Sequence, residues 1–258
     1  MRSLDFRDRP GNRYWWHHMH NNSYVPPVYS FLSEDEWQVM EEWFMDTDMR
    51  YGLGTGECGV PALSVLQGFI MGSGITRIVQ CGHFIGYSTL LIGYMLRKMG
   101  VRKGLFSIDM DADVTEYTRS WITRAGLIDQ VVLHVSDSAG LDLPHLAQQC
   151  FSGNGIQLVF IDSSHQYQHT LTELDLWFPA LEPGGLLVLH DVSRFASTFD
   201  MTKQGGPLRA ITEWCAAHGL FFLILNGFVN GGSPGQYAYA DGCGVGLIQK
   251  TPNTTIGR

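Results

Sequence analysis

Residues 77–88 read Arg77-Ile78-Val79-Gln80-Cys81-Gly82-His83-Phe84-Ile85-Gly86-Tyr87-Ser88. A short apolar run meets a glycine-punctuated turn, and a segment of helical period follows over 87–99. The run does not alternate apolar with polar residues, as a strand buried on both faces would not. The same unit recurs downstream. Apolar runs lie at 105–109, 131–135, 158–162 and 186–190, with helical segments at 114–125, 141–150, 170–180 and 208–218 between and after them. Regular alternation of strand and helix predicts an α/β fold with a parallel sheet and right-handed crossovers. The last two runs, 221–225 and 245–249, have no helix between them. Only the Gly-rich segment 227–244 separates them, so a terminal strand pair joined by a long hairpin-like loop is predicted.

In open α/β sheets, ligands bind beyond the carboxyl ends of the strands. The turn at Gly82 and the Asp109 that ends the second run therefore face one crevice. Gly82 would let the backbone turn tightly against a ligand, and Gly86 would let the next helix start pack closely. Asp109 is placed to accept hydrogen bonds from two ribose hydroxyls. A pyrophosphate needs a second small residue two positions after the first glycine, so that backbone amides reach it. Phe84 stands there, and the spacing is GxxxG. S-adenosylmethionine (SAM) has no phosphate and tolerates that bulk. The loop thus favours SAM, with an NAD(P)-dependent oxidoreductase as the alternative. A tight turn that wants glycines for its own sake needs no ligand at all.

The fourth run leads into Asp162-Ser163-Ser164-His165-Gln166-Tyr167 and the fifth into His190-Asp191. The turn Leu181-Glu182-Pro183-Gly184-Gly185 feeds the fifth. Asp162, His190 and Asp191 are therefore expected at neighbouring strand tips, close enough to share an ion. Two carboxylates, an imidazole and water suit Mg²⁺ or Mn²⁺. His165 is expected to overhang the same place from its loop. A metal lowers the pKa of a bound hydroxyl and a neutral histidine takes its proton, so His165 and Asp162 are the catalytic candidates. The competing readings are a carboxylate that binds only the SAM amino group and histidines that are purely structural.

Residues 158–191 (LVFIDSSHQYQHTLTELDLWFPALEPGGLLVLHD) resemble the matching block of class I SAM-dependent methyltransferases, through D-x-x-H-x-Y and G-G-x-x-x-x-H-D. The block is similar to the branch of macrolide-sugar O-methyltransferases and cephalosporin-hydroxylase-like proteins; catechol O-methyltransferases are more distant. The resemblance covers 77–191 and the terminal strand pair, not residues 1–60. It implies a Rossmann-like seven-stranded sheet of order 3-2-1-4-5-7-6, the last strand antiparallel, with helices on both faces and an N-terminal helical extension. It implies SAM held at Gln80, Gly82, His83, Gly86, Ser88 and Asp109, with Asp162 at its amino acid end. The adenine would lie by Ser136, Asp137 and Ser138. It further implies metal carboxylates at Asp162 and Asp191, a general base at His165, a small hydroxyl-bearing acceptor, and a homo-oligomer. Gln80 stands where the family usually has Glu. His190 stands where the sugar enzymes have Glu, which shifts metal preference from Mg²⁺ toward Mn²⁺. These two departures are the hints toward a non-catalytic SAM-binding protein.

Hydrophobic residues make up 45% and charged residues 16% of the 258, enough for a sizeable core. The net charge of -8 and pI near 5.6, with no long basic run, exclude a nucleic-acid-tracking surface. Five scattered cysteines without CxxC read as reduced thiols. No apolar signal region is visible and the apolar stretch at 90–96 is too short to span a bilayer, so a cytoplasmic protein is expected, with no membrane partner. Two parts are predicted: an arm and helical extension over 1–60, and the SAM domain over 61–258. Ser33 and Glu36 form a capping box before a helix at 34–44, and a second helix covers 61–71. The cluster Trp15, Trp16, His17, His18 and His20 is a cap on the pocket, a partner contact or a loose arm. Residues 51–59 are a candidate lid, and 227–244 a candidate acceptor or dimer loop.

Overall fold

The computed structural model describes residues 24–52, 58–231 and 236–252. Its strands are β1 (Ile78–Cys81), β2 (Leu105–Asp109), β3 (Val131–Val135), β4 (Ile156–Ile161), β5 (Leu181–His190), β6 (Phe222–Leu225) and β7 (Val245–Gln249). They form one seven-stranded sheet of order β3-β2-β1-β4-β5-β7-β6. Pairing is parallel from β3 through β5, and β7 runs antiparallel to both β5 and β6. The order expected from the resemblance is the order found.

Successive strand residues feed opposite faces, as the pleat requires. Ile78, Leu105, Leu158, Phe160 and Val188 join one core, and Val79, Phe106, Val159, Ile161 and Leu187 join the other. The first core is covered by α1 (Pro27–Ser30), α2 (Glu34–Tyr51), α3 (Val60–Ser73), α4 (Tyr87–Lys98) and α5 (Ala112–Arg124). The second is covered by α6 (Leu143–Cys150), α7 (Tyr167–Ala180) and α8 (Gly206–His218). β1 is buried at every position because both of its faces are covered.

Several boundaries depart from expectation, among them those of α2, β5 and α5. α2 runs to Tyr51, past the expected end at residue 44, and Thr47 in its added turns is buried with its hydroxyl donating to the carbonyls of Trp43 and Phe44. β5 begins at Leu181, where the turn was expected, and pairs with Ile156 before a register shift around Gly184 and Gly185. α5 begins at Ala112, since the Asp111 side chain accepts from the amides of Asp113 and Val114. The capping box of Ser33 and Glu36 is present.

The described part of the N-terminal extension packs into the main core. Trp43, Phe44 and Tyr29 are fully buried there with Tyr87 of α4. Glu36 pairs with Arg97 and Lys98 at the far end of α4. The Trp and His cluster at 15–20 lies outside the described residues, as do 53–57 of the candidate lid and 232–235 of the candidate acceptor loop. No described helix is long and apolar enough to cross a membrane.

Candidate active site

A cavity of about 340 Å³ opens at the carboxyl ends of β1, β2 and β4, within the range of small-molecule and cofactor sites. Gly82, His83, Phe84 and Ser88 form one side, and Asp109 and Met110 the base of the next. Ser136, Asp137 and Ser138 line it as well, as do Asp162, Ser163, Ser164 and His165. Among the expected cofactor residues, Gly82, His83, Ser88, Asp109, Asp137, Ser138 and Asp162 meet in this one space. Gln80 and Gly86 lie behind it.

Gly82 has φ 86°, and a Cβ there would fall 2.0 Å from the carbonyl oxygen of Asp162. The glycine is required because the tips of β1 and β4 touch, a reason distinct from contact with a ligand. Gly86 has φ 92°, and its missing Cβ leaves room for Thr118 of α5 at 2.9 Å. One Asp109 oxygen accepts the amides of His83 and Phe84, at 3.1 and 2.9 Å. The other accepts from Asp111. An ionised carboxylate has about four lone-pair sites, so ribose hydroxyls still find acceptors. The His83 and Phe84 amides, committed to Asp109, are not turned toward a pyrophosphate.

Gln80 is the centre of a buried network. Its Nε2 donates to Ser88 Oγ at 2.6 Å and to the Gly82 carbonyl, while its Oε1 accepts from Thr89 and Ser107. Ser107 in turn meets His83 Nδ1, and His83 Nε2 meets Thr115. Burial pushes the His83 imidazole down to about 4, so it is neutral here. His83 reaches the cavity as backbone, and Gln80 acts through the loop that it braces.

Asp162, His165 and Asp191 come together with one donor atom each, all within 4.8 Å of one another. His165 Nε2 lies 2.9 Å from Asp191 Oδ2. His165 and Asp191 both hold left-handed backbone, φ 58° and 61°. Such conformations cost of order 1–3 kcal/mol each and cluster at functional sites. His190 is placed differently from expectation. It is buried, its Nδ1 is 3.4 Å from both Asp162 and Asp191, and its Nε2 is 3.2 Å from the buried Asp241. Burial alone would lower its pKa, but Asp191, Asp241 and Asp162 outweigh that and raise it well above the ordinary value. Among the described residues the group of possible metal donors thus contains His165, while His190 faces three carboxylates through its two nitrogens. Against the cost of burial, His190 and His165 hold the Asp191 carboxyl well below the usual range.

Sequence reading missed three groups. His169 lines the cavity, 2.8 Å from Asp137 and 3.3 Å from Glu173. Glu173 is fully buried beneath it. Asp241 returns from the loop between β6 and β7, where the sequence offered only glycines and tyrosines as signals. The i, i+4 spacing of His169 and Glu173 on a helix was the one available hint.

The geometry has a counterpart among known proteins. Residues 79–192 match the family model of a methyltransferase domain. The match spans less than half of the chain. It runs from β1 to just past β5, and so contains the cavity walls and all three donors of the acid cluster. The fold is similar to the SAH-bound O-methyltransferase from Bacillus cereus, at 18% identity and TM-score 0.59, over 85% of this chain and 92% of that one. It is similar to cofactor-bound Rv0187 from MTB, at 18% identity and TM-score 0.65, over 90% and 100%. It is also similar to the SAM-bound O-methyltransferase TomG from Streptomyces achromogenes, involved in tomaymycin synthesis, at 17% identity and TM-score 0.58, over 85% and 91%. At these identities the likeness carries the fold alone. No curated protein sequence matches the chain significantly.

Proposed function

We propose that this chain transfers the methyl group of SAM to a hydroxyl of a small molecule. One observation carries the reading. A single cavity is lined both by Asp109 and Ser136–Ser138, which suit the hydroxyls and base of a nucleoside, and by Asp162 and His165, which suit a proton transfer. The acceptor oxygen attacks the methyl carbon, the carbon–sulfur bond breaks to give S-adenosylhomocysteine (SAH), and the hydroxyl proton passes to His165. Most of the rate comes from alignment of the two reactants and from the charge around them.

Asp162, His165 and Asp191 fit a divalent cation: two carboxylates and one imidazole, mutually within reach, suit Mg²⁺ or Mn²⁺, and with its imidazole on the ion His165 is a ligand and not the proton acceptor. Bound there, the ion would supply Lewis acidity that lowers the pKa of the acceptor hydroxyl. A second reading of the same residues rests on the 2.9 Å contact of His165 with Asp191. In it, Asp191 orients His165 as a base and no ion is needed. The relation to the sugar O-methyltransferases, a homo-oligomeric state and a cytoplasmic site of action belong to this proposal; light scattering of the purified chain tests the oligomer.

Calorimetry with SAH and with NADH tests the cofactor, and binding of SAH alone is expected. Binding of NADH alone would overturn the reading. With methyl-labelled SAM and a panel of phenols, sugars and hydroxylated natural products, Asp191→Ala is expected to lower turnover by about 100-fold or more. SAH affinity should stay near wild type. Loss of turnover with a chelator, restored by Mn²⁺ or Mg²⁺, separates the metal-assisted reading from the His–Asp one.

A further inference from the structure

Glu173 sits in the middle of α7, fully buried, and the reaction above makes no use of it. Its Oε1 accepts from Ser138 Oγ at 2.6 Å, on the nucleoside side of the cavity. Ser163 Oγ, on the residue after Asp162, lies 2.9 Å from both of its oxygens. His169 approaches Oε2 from one turn earlier on the same helix. One turn later, Trp177 Nε1 donates to the Ser138 carbonyl at 2.9 Å. His169, Glu173 and Trp177 share one helix face, and that face holds two loops that are distant in sequence.

We propose that Glu173 is a positioning residue that couples the two walls of the cavity, so that the place of the nucleoside-side segment sets the place of the segment bearing Asp162. A buried carboxylate must keep its acceptors satisfied, and short charge-assisted bonds are the stiff ones. Ser138 therefore cannot shift without turning the carboxylate, and the carboxylate cannot turn without moving Ser163. The two serines have no hydrogen bond to each other among the described contacts; Glu173 is their shared partner. The inference uses the proposed cofactor reading for its probe.

A double-mutant cycle on SAH affinity, by calorimetry on the full chain, tests it. Ser138→Ala and Ser163→Ala are each expected to weaken SAH binding by about threefold to tenfold. Combined, they should depart from additivity by about threefold or more, as residues in one network do. In a Glu173→Gln background the two effects should become additive, and Ser163→Thr should behave as wild type. Should Glu173→Gln not fold, the serine cycle alone decides. Additive serine effects in the native background overturn the coupling while SAH binding stands. Failure of the wild type to bind SAH overturns the methyl-transfer reading, and this inference with it.

Discussion

His169 carries a charge that the cavity holds in place. The Glu173 carboxylate, 3.3 Å from its Nδ1, is the largest cause, Asp137 adds to it against the cost of burial, and the imidazole is raised to about 9. An unfolded histidine titrates near 6.5. A raised folded value means that its contribution to stability is complete below about pH 6.5 and is lost as pH climbs through about 9. The thermal midpoint should therefore fall between pH 7 and pH 9.5, and fall less in His169→Gln. Melting curves in matched buffers check this, and equal losses in both proteins would refute it. Gly82 makes a second case. Gly82→Ala would force a Cβ against the Asp162 carbonyl, on left-handed backbone. A loss of about 3–5 kcal/mol in denaturant unfolding is expected, of the size seen for strain at a special backbone position. A loss below about 1 kcal/mol would mean that the strand tips separate easily. The sequence showed that position 82 needs glycine but not the contact with Asp162, which is eighty residues away along the chain. In the same way it placed Asp162, His190 and Asp191 at adjacent tips but gave no sign of what His190 meets on its other side. The Asp241 that occupies its other nitrogen comes from a loop with no periodicity to read.

At the level of elements, α2 reaches the loop after β1. Trp43 Nε1 donates to the Ile85 carbonyl at 2.9 Å, and its ring stacks on Tyr87 at 5.4 Å. Asp46, one turn on, accepts from Tyr117 of α5 at 2.7 Å. Trp43→Phe keeps most of the packing and leaves that buried carbonyl short of a donor. It should weaken SAH binding by about threefold to tenfold, with a loss of about 1–2 kcal/mol in stability. Unchanged affinity with lowered stability would show that the helix braces the core and not the loop. Strands were the most legible elements: β2, β3 and β7 begin and end where the apolar runs do. The far end of α2 was hidden because Asp46-Thr47-Asp48 carries no apolar stripe. The start of β5 was hidden because Leu181–Gly185 is both a turn and an irregular strand.

Across the whole molecule, the order of the strands gathers distant residues. β1 and β4 are neighbours at the centre of the sheet, with β2 and β5 flanking them. Their carboxyl ends bring Gly82, Asp109, Asp162 and Asp191 to one edge. That convergence was readable from alternation of strand and helix together with the family resemblance. The helical extension was readable only as a pair of helices. Its membership in the core depends on Trp43 and Tyr29 meeting Tyr87, which no spacing along the chain reveals. The shared core has a practical corollary. A recombinant fragment started at residue 61 would lay bare the apolar flank of α4, including Leu90 and Tyr94, and would be expected to clump before it could be assayed. Anyone exchanging front ends between relatives to change acceptor preference would have to carry the Tyr87 neighbourhood along, since Trp43 and Tyr29 fit against it.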